Sequence, residues 1–211
     1  MDSPPSADRI ARARQGDQHA LSELFAEHQP RLVRMVELRL DASLRRRFDP
    51  SDVVQEAWIE VVRRFPEWCA QTAYPFHVWV RLITSQALAQ MQRRHLGAGM
   101  RDAMREVQSP ESRIGISAAS AADAFIASAT SPSQAARREE LRSRVLAALE
   151  ELDELDREIV ALRHFEGLSN EDAATELSIE PAAASKRFAR ALVRLRPALA
   201  SLAAEGGGGP R

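Results

Sequence analysis

Cysteine, aromatic residues and long apolar runs are scarce in this sequence. Cys69 is the single cysteine among 211 residues, which excludes an intramolecular disulfide, and we interpret its thiol as a small packing group. No run of about 18 apolar residues is present, so no membrane span is predicted. The N-terminus also lacks a basic start followed by an apolar stretch, so we predict no signal peptide and a cytoplasmic protein.

Motifs that carry catalysis or bind metals are also missing. The sequence has no glycine-rich phosphate loop and no nucleophile motif. Its histidines lack the spacing of a metal site and have no cysteine pair beside them. They are His19, His28, His77, His95 and His164. We therefore predict that the protein is not an enzyme and that it has no catalytic residue, metal or cofactor.

The formal net charge of -1 hides a strong segregation of charge along the chain. Arg31–Arg47 contains six arginines and two acids, and Arg81–Arg105 contains five arginines and one acid. Pro181–Arg196 has five basic residues and no acid, whereas Glu139–Glu158 has eight acids and three arginines. Basic segments near both ends of the chain predict two separate surfaces that bind anions.

Apolar residues recur at steps of three and four along most of the chain, and the alternation typical of a strand is absent. We therefore predict an all-α fold with two small helical domains joined by a flexible linker. The N-terminal domain is predicted over 9–108 and the C-terminal domain over 137–203. Flexible segments are predicted over 1–8, over the serine- and alanine-rich 109–136, and over 204–211.

Prolines and glycines set several boundaries of the predicted helices. Helices are predicted from about Pro30 to Leu40, from Pro50 to Phe65, and from Phe76 to about His95. Residues 66–75, from the proline onward, are predicted to form a loop. A short basic helix is predicted over 100–107.

The helix predicted from Pro50 has an apolar face and an acidic face. Its apolar stripe consists of Val54, Ala57, Trp58, Val61 and Phe65. The opposite face consists of Asp52, Gln55, Glu56 and Glu60, and no base occurs between Asp49 and Glu60. By itself such a face is most simply interpreted as solvated surface. The basic segments on both sides of it favour a docking surface instead.

The C-terminal domain contains a predicted helix-turn-helix. Ser169 begins a capping box for the first helix, Ser178–Glu180 forms the turn, and Pro181 begins the second helix. The second helix has small residues in its first turn and arginines further along, as a helix that enters the major groove requires. A surface helix with solvated arginines is the simpler interpretation, but the cap, the turn and the polarised helix together favour DNA binding.

Three motifs, in this order, resemble those of small two-domain sigma factors of the sigma-70 family, of the extracytoplasmic-function (ECF) type. Asp49–Glu56 resembles the hallmark of region 2, Phe76–Ile83 resembles the aromatic helix that follows it, and Phe165–Ala174 resembles the helix-turn-helix of region 4. The resemblance spans about 21–107 and 141–199. It implies a promoter-specificity subunit that binds core RNA polymerase, recognises the −35 and −10 promoter elements and directs transcription initiation.

The resemblance also assigns residues to three binding surfaces. The surface for the clamp helices of the polymerase largest subunit consists of Asp49, Asp52, Val53, Gln55, Glu56 and Ile59. The surface for the melted −10 element consists of Trp79, Arg81, Thr84, Gln86, Gln90, Arg93 and Arg94, with the loop from Trp68 to Tyr74. The surface for the −35 duplex consists of Ser169, Ala183, Ser185, Lys186, Arg187 and Arg190.

Several interpretations stay open beside these assignments. Trp79 lies beside an apolar stripe, so core packing is at least as good an interpretation as contact with a base. Ser178 stands where helix-turn-helix turns often have glycine, so a different turn geometry is possible. The resemblance also implies an anti-sigma protein as a further partner, because sigma factors of this type are often held by one.

Two rival hypotheses compete with the sigma-factor interpretation. One is a helix-turn-helix regulator that never binds polymerase and uses its N-terminal domain for dimerisation or sensing. The other is an enzyme, which the missing motifs disfavour. Charge reversal at Asp52 and Glu56 distinguishes the first rival from the sigma-factor interpretation. It abolishes polymerase binding only if the acidic face is a polymerase surface.

Overall fold

A computed structural model describes residues 4–40, 44–45, 47–71, 74–95, 115–129 and 135–206. These residues form helices and the turns between them, which confirms the predicted all-α fold. The chain divides into two compact units, Met1–Ile114 and Gly115–Arg211. Among the described residues, no helix combines the length and the apolar character needed to cross a membrane.

The described residues of the first unit form four helices around one core. The helices are α1 (Pro4–Arg14), α2 (Gln18–Arg39), α3 (Pro50–Gln71) and α4 (Phe76–His95). Asp17 caps α2, because its carboxylate accepts hydrogen bonds from the backbone N–H groups of His19 and Ala20, each at 3.0 Å. Buried side chains from all four helices meet in a single apolar cluster.

Two prolines lie inside helices where the sequence predicted boundaries. Pro30 lies within α2, which continues without a break from Gln18, and Pro66 lies within α3, which continues to Gln71. A proline removes one N–H donor, but tertiary packing of an apolar face can outweigh that loss. In α3 the apolar stripe extends past the proline to buried Trp68, so the predicted loop over 66–75 is wrong for 66–71.

The N-terminus is ordered earlier than predicted. The first helix begins at Pro4, so the predicted flexible segment over 1–8 is wrong for 4–8. Proline suits the first turn of a helix. Further along α1, Ile10 and Ala13 pack in the core of the unit, and this packing stabilises α1. Residues 1–3 and the helix predicted over 100–107 lie outside the described residues.

The second unit contains the predicted helix-turn-helix. Its helices are α5 (Ala118–Ala129), α6 (Ala135–Glu150), α7 (Glu154–Val160), α8 (Asn170–Leu177) and α9 (Pro181–Gly206). A π-helical segment, Ala161–Phe165, continues α7 directly, and the N–H of Glu166 donates to the carbonyl of Ala161 at 3.0 Å. Because α9 extends to Gly206, the flexible tail predicted over 204–211 is wrong for 204–206.

Helix α5 occupies the middle of the segment that was predicted to be a flexible linker over 109–136. Its buried residues recur on one face and are Ala121, Ala122, Phe125 and Ile126. The ring centroids of Phe125 and Phe165 lie 4.7 Å apart, and Arg142 of α6 donates to Asp123 at 2.6 Å. The linker prediction is therefore wrong for 118–129, because its alanine- and serine-rich composition concealed an apolar stripe. Residues 109–114 and 130–134 lie outside the described residues.

Candidate polymerase and promoter interfaces

The acidic face of α3 is exposed on the first unit. The side chains of Asp52, Gln55 and Glu56 are exposed, and neither acid forms an ion pair with any residue that the structure describes. Ile59, one helical turn after Gln55, is 66% exposed, an unusual position for a large aliphatic side chain. The face therefore combines unpaired negative charge with one apolar contact point.

Two of the residues assigned to polymerase binding have structural roles in α3. Val53 is only 2% exposed and belongs to the core cluster, so its side chain faces inward. The carboxylate of Asp49 accepts a hydrogen bond from the backbone N–H of Ser51 at 2.8 Å. That hydrogen bond, together with one from the Ser51 side chain, holds the pKa of Asp49 below its ordinary value, so Asp49 keeps its negative charge at the start of α3.

A cleft of about 380 Å³ lies between α3 and α4 and adjoins the acidic face. Its lining residues are Glu56, Ile59, Glu60, Arg64, Ile83, Gln86, Ala87, Gln90 and Arg94. Arg64 of α3 donates to the side-chain oxygen of Gln86 of α4 at 3.0 Å. The cleft thus brings residues assigned to polymerase binding next to residues assigned to the −10 element.

The residues assigned to the −10 element separate into a buried and an exposed set. Trp79, Arg81 and Thr84 are buried, and the Thr84 hydroxyl donates to the carbonyl of Val80 at 2.8 Å. The exposed or half-buried residues are Gln86, Gln90, Arg93 and Arg94. Only the second set presents its side chains to a ligand in this conformation.

The aromatic residues around the α3–α4 connection form a packed cluster. The rings of Trp68 and Trp79 stack with centroids 5.5 Å apart, and Phe65 and Phe76 pack against both. This geometry supports core packing as the role of Trp79. Tyr74 differs, because its side chain is exposed while its backbone carbonyl accepts a hydrogen bond from the Trp68 indole at 3.1 Å.

The helix-turn-helix has the predicted boundaries. Ser169 caps α8, since its hydroxyl oxygen accepts the backbone N–H of Asp172 at 3.1 Å, which confirms the predicted cap. Helix α8 ends at Leu177 and α9 begins at Pro181, so the turn has the predicted three residues. Ser178 has a φ of 54° and adopts the left-handed conformation that glycine usually supplies at this position.

Asn170 links the beginnings of the two helices. Its amide nitrogen donates to the carbonyl of Pro181 at 2.9 Å, and its side-chain oxygen accepts hydrogen bonds from Ser185 at 3.1 Å and from Arg163 at 2.9 Å. The guanidinium of Arg163 also lies over the ring of Phe188, 5.0 Å from its centroid. These contacts fix the position of α9 relative to α8.

The residues assigned to the −35 element occupy different environments. Ser169, Ser185 and Lys186 are exposed, and Ala183 is half-buried. Arg187 and Arg190 instead bond an acidic pair on α7 and its cap. Arg187 donates to Asp156 at 2.7 Å, and Arg190 donates to both carboxylate oxygens of Asp156, at 2.8 Å and 2.9 Å.

Asp153 is the second acid of this pair. Its carboxylate caps α7 by accepting the backbone N–H of Asp156 at 2.7 Å, and it also accepts a hydrogen bond from Arg187 at 3.2 Å. Desolvation raises the pKa of Asp153, but these two hydrogen bonds and the nearby arginines outweigh it, so the pKa lies below its ordinary value. Hydrogen bonding to Asp156 in turn raises the pKa of Arg187.

Sequence reasoning missed both of these acids. They lie in the acid-rich stretch Glu139–Glu158, where excess negative charge was recognised but no partner was assigned. One signal could have identified them: Pro181–Arg196, in the same predicted domain, has an excess of positive charge that could pair with these acids. Asp153 also precedes a helical pattern, which is a position where an acid commonly caps a helix.

These features define a class of protein: an all-α, two-unit DNA-binding protein with a helix-turn-helix and a separate exposed acidic face. The pattern of the ECF sigma factor family matches residues 6–200, and the chain belongs to that family. The match includes both the acidic helix α3 and the helix-turn-helix.

Two known proteins are similar to this chain over most of its length, one in sequence and one in structure. The RNA polymerase sigma-H factor of Pseudomonas aeruginosa is 28% identical over 198 residues, which covers 93% of this chain and 94% of the relative. The solved structure of CnrH in complex with the cytosolic domain of CnrY is 20% identical, with a TM-score of 0.55. The similarity covers 94% of this chain and 99% of CnrH, and it shows a common fold.

Membership in this family fixes the general role of the protein. ECF sigma factors are promoter-specificity subunits that direct transcription initiation, so the partners of this chain are core RNA polymerase and promoter DNA. The family consists of initiation factors rather than of enzymes. The rival hypothesis of a regulator that never binds polymerase does not describe this family.

Proposed function

We propose that the two units divide the work of promoter recognition. The first unit, predicted over 9–108, binds core polymerase and the melted −10 element, and the second unit, predicted over 137–203, binds the −35 duplex. The observation that carries this proposal is the pair of exposed acids Asp52 and Glu56 on α3. Neither forms an ion pair with a described residue, whereas Glu60 of the same face bonds Arg63. DNA repels such a face, whereas a basic protein partner attracts it, so the first unit needs a protein partner as well as a promoter.

The polymerase surface centres on Asp52, Gln55, Glu56 and Ile59. The two acids steer a basic partner toward α3, and Ile59 supplies an apolar contact that becomes buried on binding. Val53 supports this surface from the core side, and Asp49 fixes the first turn of the helix. The clamp helices of the largest polymerase subunit are the proposed partner.

The −10 surface is the exposed side of α4 together with the end of the α3–α4 connection. Gln86 and Gln90 offer amide groups that can hydrogen-bond to unpaired bases, and Arg93 and Arg94 offer charge to the DNA backbone. Tyr74 is the exposed aromatic side chain on which an unpaired base can stack. Trp79, Arg81 and Thr84 support this surface from below.

The −35 surface is the exposed side of α9 near its N-terminus. Lys186 is exposed, and Ser185 is exposed although its hydroxyl donates to Asn170. Ala183 leaves room for the backbone to approach the groove. Ser169 at the start of α8 is placed to meet a phosphate. Arg187 and Arg190 join this surface from their contacts with α7.

Further features of the proposed function follow from the family and its relatives. The protein acts in the cytoplasm, where core polymerase and DNA are found, and it carries out no catalysis of its own. CnrH, which has the same fold, was solved in complex with the cytosolic domain of CnrY, and this supports an anti-sigma protein as a further partner.

Run-off transcription with purified core polymerase and a promoter library tests the proposal. Addition of the protein is expected to produce specific start sites preceded by two common sequence elements at a defined spacing. Core polymerase alone is the control. Absence of any specific start site would overturn the proposed function.

A further inference from the structure

Asp156 is a fully buried acid that bonds two arginines of the proposed DNA-reading helix. Its side chain is 0% exposed. One carboxylate oxygen accepts Nη1 of Arg187 at 2.7 Å and Nη2 of Arg190 at 2.9 Å, and the other accepts Nε and Nη2 of Arg190 at 3.1 Å and 2.8 Å. Three of these four bonds come from Arg190 and reach both carboxylate oxygens, so the contact with Arg190 is bidentate, the strongest geometry for this pair of groups.

The acid itself is held firmly in place. It lies in the first turn of α7, and its backbone N–H is bonded by the capping residue Asp153. Asp153 also accepts a hydrogen bond from Arg187, so Asp156 of α7 and the residue that caps α7 face two arginines of α9. A buried carboxylate costs much to desolvate unless its charge is compensated, and Arg187 and Arg190 supply that compensation.

Arg190 also belongs to the exposed face of α9. It is one helical turn after exposed Lys186, and residues at this spacing share a helix face. Its side chain remains 49% exposed although it is bonded to Asp156. Within the described part of the chain, Nε and Nη2 make the bonds to Asp156, and Nη1 lies outside this network.

The charge of the cluster formed by Asp153, Asp156, Arg187 and Arg190 indicates which part of DNA it can recognise. Asp153 and Asp156 offset the charges of Arg187 and Arg190, so the cluster adds little to the general attraction of DNA phosphates. A bonded guanidinium is also held in one orientation, and a fixed arginine suits the acceptor edge of a base, above all guanine. Phosphate contacts, in contrast, mainly require charge and carry no sequence information.

We propose that Asp156 is a positioning residue for promoter recognition: it holds Arg190 toward a base edge of the −35 element and thereby sets sequence discrimination. This inference rests on the proposed −35 role of the second unit. It assigns a function to a residue on α7, outside the two helices of the helix-turn-helix.

The test compares Asp156→Asn with Glu150→Gln, which removes one acid from an exposed position of the same unit. Holoenzyme containing each variant is titrated onto a promoter from the run-off selection and onto the same promoter with a scrambled −35 element. Asp156→Asn is expected to reduce the ratio of the two affinities about tenfold, which is the scale of one good base contact. Affinity for the scrambled promoter stays the same or rises, because a negative charge is removed.

An unchanged ratio of the two affinities would overturn the proposal in either of two forms. If both affinities fall equally, Asp156 acts only through folding or phosphate contacts, and if both affinities stay the same, Asp156 does not position a reading side chain. Both differ from failure of the proposed function, in which the selection yields no promoter.

A second pair of variants keeps the test decisive if Asp156→Asn does not fold. Arg190→Lys retains the positive charge but loses the bidentate contact, and Arg194→Lys is its control at an exposed position of the same helix. Arg190→Lys is expected to lower the ratio about tenfold, with an unchanged dependence of binding on salt. If Arg190→Lys folds and the ratio of its affinities for the selected and the scrambled promoter is unchanged, the proposal is overturned.

Discussion

The charged faces of α3 and α9 differ in whether their charges are paired with other side chains of the same unit. On α3, Asp52 and Glu56 are exposed and form no ion pair with any described residue. On α9, Arg187 and Arg190 bond to Asp153 and buried Asp156. One face presents its charge openly, whereas the other compensates it within the unit.

The difference indicates what each face has to distinguish. An unpaired acidic face attracts a basic protein over a distance and accelerates its association. An arginine face with the same freedom would bind any DNA, because every duplex presents the same phosphates. Internal acids lower that general affinity and fix the arginines, so shape and base edges contribute more to binding.

The largest expected effect comes from reversing the open charge on α3. Asp52→Arg combined with Glu56→Arg is expected to weaken binding to core polymerase at least a hundredfold, about 3 kcal/mol, because like charges then face each other. Pull-down and fluorescence titration with core polymerase measure the loss. Reversal of two other exposed acids, Glu37→Arg with Glu67→Arg, is the control for net charge. Normal holoenzyme formation by the α3 variant would disprove the assignment of this face.

An effect of similar size, on stability rather than on binding, is expected from removing the ring that attaches α5 to the second unit. Phe125→Ala deletes a side chain that is 4% exposed and should lower the free energy of unfolding of that unit by about 3 kcal/mol. Trp58, Trp68, Trp79 and Tyr74 all belong to the first unit, so intrinsic fluorescence reports that unit alone.

Urea unfolding followed by circular dichroism and by fluorescence therefore separates the two units. The variant should shift the transition seen by circular dichroism and leave the fluorescence transition in place. Ala127→Ser, at an exposed position of the same helix, is the control. A circular dichroism transition that does not move would mean that α5 contributes little to the second unit.

Acid should weaken the compensated cluster through Asp153. The pKa of Asp153 is lower in the folded chain than in the unfolded chain, so its contribution to stability is full above the unfolded pKa, about 3.9. That contribution is lost as the pH falls through this value toward the folded pKa. Urea titrations at several pH values between about 6 and 3 should show a smaller loss of stability in Asp153→Asn than in the wild type. Glu150→Gln is the matched control, and identical losses in all three proteins would contradict the expectation.

The smallest effect concerns the turn of the helix-turn-helix. Ser178→Gly should raise the free energy of unfolding of the second unit by about 0.5 kcal/mol, because glycine adopts a positive φ without the steric cost of a Cβ atom. Ser143→Gly, at an exposed position inside α6, should lower it by a similar amount. Thermal unfolding measures both, and destabilisation by Ser178→Gly would indicate that its side chain contributes more than its backbone conformation costs.

Local signals in the sequence were sufficient for several parts of the structure. Ser169 caps α8 as predicted, and the three-residue turn before Pro181 has the predicted length. These features depend on backbone chemistry over a few neighbouring residues, which a sequence displays directly. The acidic face of α3 was predicted for the same reason, since a helical period alone places Asp52, Gln55 and Glu56 on one side.

Features that depend on contacts between distant residues were not predicted. Pro66 lies inside α3 because packing beyond it, at Trp68, outweighs a lost hydrogen bond. The apolar side chains of α5 were hidden in a composition typical of linkers. The assignment of Trp79 to the −10 surface could not be decided, because an aromatic residue near an apolar stripe suits both a core and a binding site until its neighbours are known.

The π-helical segment after α7 has a consequence for how the second unit is joined together. Before it, Ile159 packs with Ala173 and Ala184 of the helix-turn-helix, and at its last residue the ring of Phe165 packs against Phe125 of α5. The wider π-helical turn changes the direction of the side chains along the helix. As a result, α7 and its π-helical continuation contact different neighbours on two sides. The helix that enters this unit, α5, is thereby connected through a single irregular turn to α9, whose second and third turns hold Arg187 and Arg190.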